Sequence, residues 1–187
     1  MPVSQRLLTA AEFERMPEEP DVRMELVRGQ VVRMTPAGFR HAAVAGRLFE
    51  LLSGHARSSG IGRVLPPAGF RLASNPDTVR EPDLAFVRQE RLNKIGEPPG
   101  FYPGPPDLAI EIVSPTDRPS AIRAKVTQYL DLGVRMVWVV DPEAQTVGVH
   151  LPATSAVLLH AADTLGGGDV VPGFSCGVTA IFLTASS

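Results

Sequence analysis

Lysine and cysteine are scarce in this chain. Of its 18 lysines and arginines, only Lys94 and Lys125 are lysine. Arginine therefore carries nearly all the positive charge, and chemistry that needs a compact ammonium on a flexible stem has only two possible sources. Cys176 is the single cysteine, which excludes an intrachain disulfide framework and a cysteine-based zinc site; its thiol is expected as a buried filler. No apolar run reaches the roughly 18 residues of a spanning helix. The opening stretch, MPVSQRLLTAAEFERM, has neither the apolar core nor the small-residue cleavage site of a secretory signal. A cytoplasmic protein with no membrane segment is the expectation. The formal net charge of −2 rules out a bulk basic surface, so any contact with nucleic acid must come from a local patch.

What is present suffices for a full core: 187 residues, 44% of them apolar, long enough for one domain spanning 1–187 and short for two. Thr9 and Glu12 have capping-box spacing, which predicts a helix over Ala10 to Met16, stopped by Pro17. Met24–Val27 and Gln30–Met34 flank Arg28-Gly29 as a hairpin. Val44, Leu48, Leu51 and Leu52 recur with helical period over His41 to Ser58. Val64–Leu72 and Thr78–Val87 read as extended strands, and Asn93–Pro106 as a loop. The run Asp107–Val113 is the clearest buried strand. A helix over Pro119–Leu132 links it to the apolar strand Arg135–Val140, a crossover of the length a βαβ unit needs. Thr146–Leu151, Val157–His160, Val170-Val171 and Val178–Leu183 complete the chain as short strands and loops. A mixed sheet covered by helices, α/β in class, follows.

Within the Asp107–Val113 strand, alternation puts Leu108, Ile110 and Ile112 on one face and Glu111 on the other, beside a small Ala109. An ionised carboxylate there is costly unless it is paired, hydrogen-bonded or metal-bound. Magnesium fits, because it takes oxygen ligands and is commonly held by one or two carboxylates. Asp83, after Pro82 at the head of another strand, is the natural second ligand. Lys125 borders the apolar stripe of Ile122, Val126, Tyr129 and Leu130, where an ammonium could approach a water or a phosphate. Each residue also has a purely structural alternative: Asp83 as a turn cap, Glu111 paired with an arginine, Lys125 on the helix surface.

Pro82-Asp83 followed by Glu111 resembles the PD-(D/E)XK nuclease superfamily, the restriction-endonuclease-like fold. That superfamily's usual lysine, two residues past the second acid, is replaced by Val113. A branch in which the lysine has moved to the next helix is a closer match: the Uma-two family of endonuclease-like proteins. The resemblance rests on Met24–Gln30, His41 opening a helix, Glu81-Pro82-Asp83, Glu111–Pro115, Lys125 with Tyr129, Gly133-Val134, Trp138–Pro142 and Val171–Phe174.

The resemblance implies a restriction-endonuclease-like mixed β-sheet flanked by helices, with an added N-terminal helix and hairpin and C-terminal strands. It implies Mg2+ or Mn2+ held by Asp83, Glu111 and the carbonyl of Ile112, with Lys125 orienting the attacking water or stabilising developing charge. Glu25 and His41 would be accessory groups, although Glu25 could equally pair with Arg23 or Arg28 and His41 could cap or pack its helix. The implied substrate is DNA, cut by a homo-oligomer. The alternative is a non-catalytic binding or assembly module on a nuclease scaffold, favoured by the near-neutral charge and by Val113; hydrolysis of a smaller phosphodiester is a third reading.

Overall fold

Five consecutive buried residues, Leu108–Ile112, form the strand on which the molecule is organised. The computed structural model describes residues 6–182; Met1–Gln5 of the leader reading and Leu183 of the last expected strand lie outside them. In chain order the elements begin α1 (Ala10–Glu14), β1 (Arg23–Val27), β2 (Gln30–Met34), α2 (Phe39–Ser59), β3 (Gly62–Leu65), β4 (Phe70–Ala73) and β5 (Thr78–Arg80). They continue with β6 (Leu84–Arg88), α3 (Gln89–Ile95), β7 (Tyr102–Pro103), β8 (Leu108–Ile112), α4 (Pro119–Asp131) and β9 (Met136–Asp141). The chain closes on β10 (Thr146–His150), β11 (Val157–Leu159), β12 (Thr164–Gly166), β13 (Ser175–Gly177) and α5 (Thr179–Phe182).

Strand β8 lies inside a six-stranded sheet ordered β11-β10-β9-β8-β6-β3. It runs parallel to β9, with α4 as the crossover, and antiparallel to β6. Its alternation is as expected: Leu108, Ile110 and Ile112 join Leu48 and Leu52 of α2 and Trp138 in one core. Ala109 joins Val126 and Tyr129 of α4 and Val137 in another. Side chains of Leu, Ile or Val size stabilise by about 1.5–3 kcal/mol each when fully buried, so both faces of β8 are committed to packing. Glu111 falls on the α4 side, where its charge must be met by neighbours.

A second, five-stranded sheet has the order β2-β1-β5-β4-β7, and β12-β13 form a separate ribbon. Two of the expected strands are split between the large sheets. Val64–Leu72 breaks at Pro66-Pro67, leaving β3 in the six-stranded sheet and β4 in the five-stranded one. Two successive residues without N–H donors cannot continue a ladder. Thr78–Val87 breaks at Glu81-Pro82-Asp83 in the same way, with β5 in one sheet and β6 in the other. Asp83 consequently sits at the seam between the sheets. The segment expected as a loop over Asn93–Pro106 contains the end of α3 and the short strand β7, and Val178–Phe182 is a helical turn instead of a strand. Val170 and Val171 are buried without joining any sheet. Cys176 is half-buried on β13, against the first core.

The N-terminal helix and hairpin follow the sequence closely. Thr9 and Glu12 form both bonds of the capping box. The hairpin closes at Val27 opposite Gln30, so Arg28 and Gly29 form a two-residue loop with φ of 50° and 76°, the type I′ geometry that matches strand twist. A Cβ at Gly29 would lie 2.7 Å from that of Leu7. Gly29→Ala is expected to cost about 2 kcal/mol, lowering the thermal midpoint by roughly 4–8 °C, as followed by circular dichroism. Among the described residues no helix is long and apolar enough to cross a membrane.

Candidate active site

Both sheets and two helices bring charged side chains to one cleft. Arg23 and Glu25 come from alternate positions of β1, Arg80 and Asp83 from either side of the seam at Pro82, and Glu111 from β8. The first turns of α2 supply His41, and α4 supplies Lys125. All seven line a cleft of about 390 Å³, together with Ile112, Ser114 and Asp117. A larger hollow, about 840 Å³, lies behind Arg80 and contains a single acid, Asp131; the convergent chemistry is in the smaller one.

Asp83 is held on three sides. Its Oδ1 accepts from Arg23 Nη1 at 2.7 Å, and its Oδ2 accepts the Ile112 N–H at 2.8 Å and lies 3.0 Å from His41 Nε2. Burial pushes this carboxyl up, but hydrogen bonds from His41, Arg23 and Ile112 outweigh it and hold it down at about 2. The Nδ1 atom of His41 is buried and has no hydrogen-bond partner among the described residues.

Glu111 has the opposite balance. Tyr129 donates its hydroxyl to Oε1 at 2.7 Å, and Lys125 donates to Oε2 at 2.9 Å. Burial, reinforced by the charges of Asp83 and Glu25, nevertheless pushes its carboxyl up to about 7 against the pull of Lys125. Two neighbouring carboxyls are thus driven apart, one fixed as an anion and one poised near neutrality, the pattern of a functional site. Tyr129→Phe removes a donor to the charged form and should move the Glu111 titration upward by about one pH unit; carboxyl carbon NMR measures this directly.

Lys125 lies between two acids, 2.9 Å from Glu111 and 3.2 Å from Glu25. Burial disfavours its charge, but the two carboxylates prevail and raise its pKa above the ordinary lysine value. Raised in this way, it is suited as an ammonium to donate hydrogen bonds and offset negative charge. Glu25, only 1% exposed, also accepts from Arg80 Nη1 at 2.5 Å and from the Glu81 N–H at 2.9 Å. Burial raises its pKa, but Lys125 and Arg80 reverse that and lower it overall.

The structure therefore brings together all six residues singled out in the sequence: Glu25, His41, Asp83, Glu111, Ile112 and Lys125. Several partners differ from the structural alternatives. Glu111 pairs with Lys125 and not with an arginine; Glu25 pairs with Arg80 and Lys125 and not with Arg23 or Arg28. His41 contacts Asp83 instead of capping its helix, and Lys125 is buried to 14% side-chain exposure. Sequence reasoning missed Arg23 and Arg80 as members of the cluster, and gave Tyr129 a place in the packed stripe and in the family signature but no hydrogen-bonding role. For Tyr129 a signal existed, because a buried phenol needs a hydrogen-bond partner and it lies one helical turn after Lys125.

Oxygen donors at this site suit a hard divalent cation. A carboxylate has about four lone-pair sites; in Asp83 three are used and in Glu111 two, so both keep capacity. The Ile112 carbonyl adds a third oxygen. Leu84 pairs with Ile110, so continuing the register sets Ile112 opposite Pro82, which has no N–H to give. Among the described residues no group of three or more His, Cys, Asp or Glu side chains gathers to hold a metal; the donors here are two carboxylates and a main-chain oxygen.

A family model, Uma2, described as "Putative restriction endonuclease", matches residues 10–181. A solved structure from Anabaena variabilis, described as "a putative nuclease belonging to DUF820", is similar with a TM-score of 0.78 at 21% identity, over 94% of this chain and 97% of that one. At that identity the likeness establishes the fold, a restriction-endonuclease-like mixed α/β architecture. No curated protein matches the chain.

Proposed function

The chain belongs to the Uma2 family, and from that premise we propose that it is a metal-dependent nuclease hydrolysing phosphodiester bonds in DNA. One observation carries the reading: Asp83, Glu111 and Lys125, from three separate segments, line a single cleft with Lys125 2.9 Å from Glu111. Asp83, Glu111 and the Ile112 carbonyl would hold Mg2+ or Mn2+. When bound, such an ion lowers the pKa of water and neutralises charge at the scissile phosphate.

The chain's own residues prepare for this. Arg23, His41 and the Ile112 N–H fix the Asp83 carboxylate in one orientation and keep it ionised. Tyr129 fixes Glu111 from the core side, leaving its other oxygen towards Lys125 and the cleft. The Lys125 ammonium has three N–H donors and meets two carboxylates, so one donor is free for the attacking water or a phosphate oxygen. Three cations, Arg23, Arg80 and Lys125, face four acids, Glu25, Asp83, Glu111 and Asp117, an excess of carboxylate that a divalent cation would offset. Assembly of two copies would let such a site cut both strands of a duplex.

The reading is tested by incubating plasmid and oligonucleotide DNA with wild type and with Asp83→Asn, in Mg2+, Mn2+ or chelator. Cleavage by wild type should need metal, and Asp83→Asn should lower it on the order of a thousandfold. Equal cleavage by both proteins would refute the role given to Asp83.

A further inference from the structure

Lys125 has two acid partners, and they are not alike. Glu25 is enclosed: its side chain has no exposure, and Arg80, the Glu81 N–H and Lys125 all converge on it. Arg80 is in turn tied to α4, since its Nε donates to Gln128 Oε1 at 2.8 Å and its Nη2 to the same oxygen. Gln128 lies three residues after Lys125 on that helix, so both project to the same side. The result is a closed frame, Lys125 to Glu25 to Arg80 to Gln128 and back along α4, joining the five-stranded sheet to the crossover helix. Glu111, by contrast, keeps 9% side-chain exposure and, among the described residues, has Tyr129 and Lys125 as its side-chain donors.

We propose that Arg80 and Gln128 are positioning residues which, through Glu25, hold Lys125 in the site independently of Glu111. A lysine on the reacting strand itself would be aimed by the strand. A lysine on the crossover helix must reach the cleft along a flexible four-carbon stem, and an unrestrained stem loses rotamer entropy when its ammonium is fixed. The Glu25 frame removes that freedom beforehand. Glu111 can then turn its oxygens to an incoming ligand without releasing the ammonium. The catalytic meaning of the frame rests on the role proposed for Lys125; the frame itself does not.

The scarcity of lysine makes a direct test feasible. In protein labelled with 13C and 15N lysine, side-chain ammonium spectra should contain two signals, from exposed Lys94 and half-buried Lys125. The expected result, in metal-free protein at constant pH, is an Lys125 signal protected from exchange with water and displaced from that of Lys94. That signal should persist in Glu111→Gln. It should lose its protection in Gln128→Met and Arg80→Gln and be largely restored in Arg80→Lys. In cleavage assays the same two damaging variants should lower kcat about tenfold or more with little change in KM, the signature of a misplaced group rather than lost binding. The proposal is overturned if Lys125 stays protected in both Gln128→Met and Arg80→Gln, or if Glu111→Gln alone abolishes the protection. Should no DNA be cleaved by any protein while the spectra behave as expected, the frame stands and the nuclease reading fails.

Discussion

Glu111→Gln is expected to abolish nuclease activity while relieving the fold of a cost. Glutamine keeps the shape of the side chain and one acceptor for Tyr129, but it cannot supply the anionic oxygen a divalent ion requires. Cleavage in saturating Mg2+ should fall on the order of a thousandfold. The stability change follows from the carboxyl's raised pKa. A group raised from 4.5 to about 7 in the fold contributes stability that is whole below pH 4.5 and is lost as pH climbs through 7. For a carboxyl only 7% exposed the loss between pH 5 and pH 8 is on the order of 3 kcal/mol. Glutamine does not ionise and escapes it. Urea denaturation at the two pH values should therefore show wild type losing stability relative to the variant as pH rises. A residue that only packed or paired would show the reverse, with the variant less stable at pH 8 and cleavage intact.

Lys125→Met should separate chemistry from metal binding. Cleavage is expected to drop by about a hundredfold to a thousandfold, the usual effect of removing one donor aimed at developing charge. Mn2+ binding, followed by calorimetry, should survive, since both carboxylates and the Ile112 carbonyl remain. Stability should fall by about 3–5 kcal/mol, because Glu25 and Glu111 both lose a buried cation. Lys125→Arg should restore part of that stability without restoring cleavage, since a rigid planar fork cannot occupy the place of a compact ammonium between two acids. Loss of metal binding in Lys125→Met would instead mean that the lysine serves the metal site and not the reaction.

How far the sequence reveals this site differs from one residue to the next. Glu111 is legible because five residues in a row are apolar except for it, and alternation says which face it takes. The hairpin is legible from Arg28-Gly29, and the crossover from the length and period of Pro119–Leu132. Asp83 is legible only as an acid after proline. Its position at the seam between two sheets depends on Pro82 breaking an extended run that looks like one strand, and alternation has the same period whether a chain stays in one sheet or changes to another. For Lys125, helical period shows that it borders the packed face, but its two partners come from strands over eighty residues apart. Arg80 leaves no local signature at all: its role is set by Glu25 and Gln128, which meet it only once both the hairpin and α4 have docked.

Metal-dependent turnover by the wild-type protein tests the central claim most directly. Labelled duplex and single-stranded DNA should be incubated from pH 6 to pH 9 with Mg2+, Mn2+ or chelator, and the products resolved by length. The site predicts strand scission only where a divalent ion is present, weakening towards acid pH as protons compete with the ion for the Glu111 carboxylate, whose affinity for a proton burial raises. Scission undiminished by chelator would contradict the account. So would intact DNA at every pH under metal concentrations at which calorimetry shows the site filled, which would leave a binding module on a nuclease scaffold.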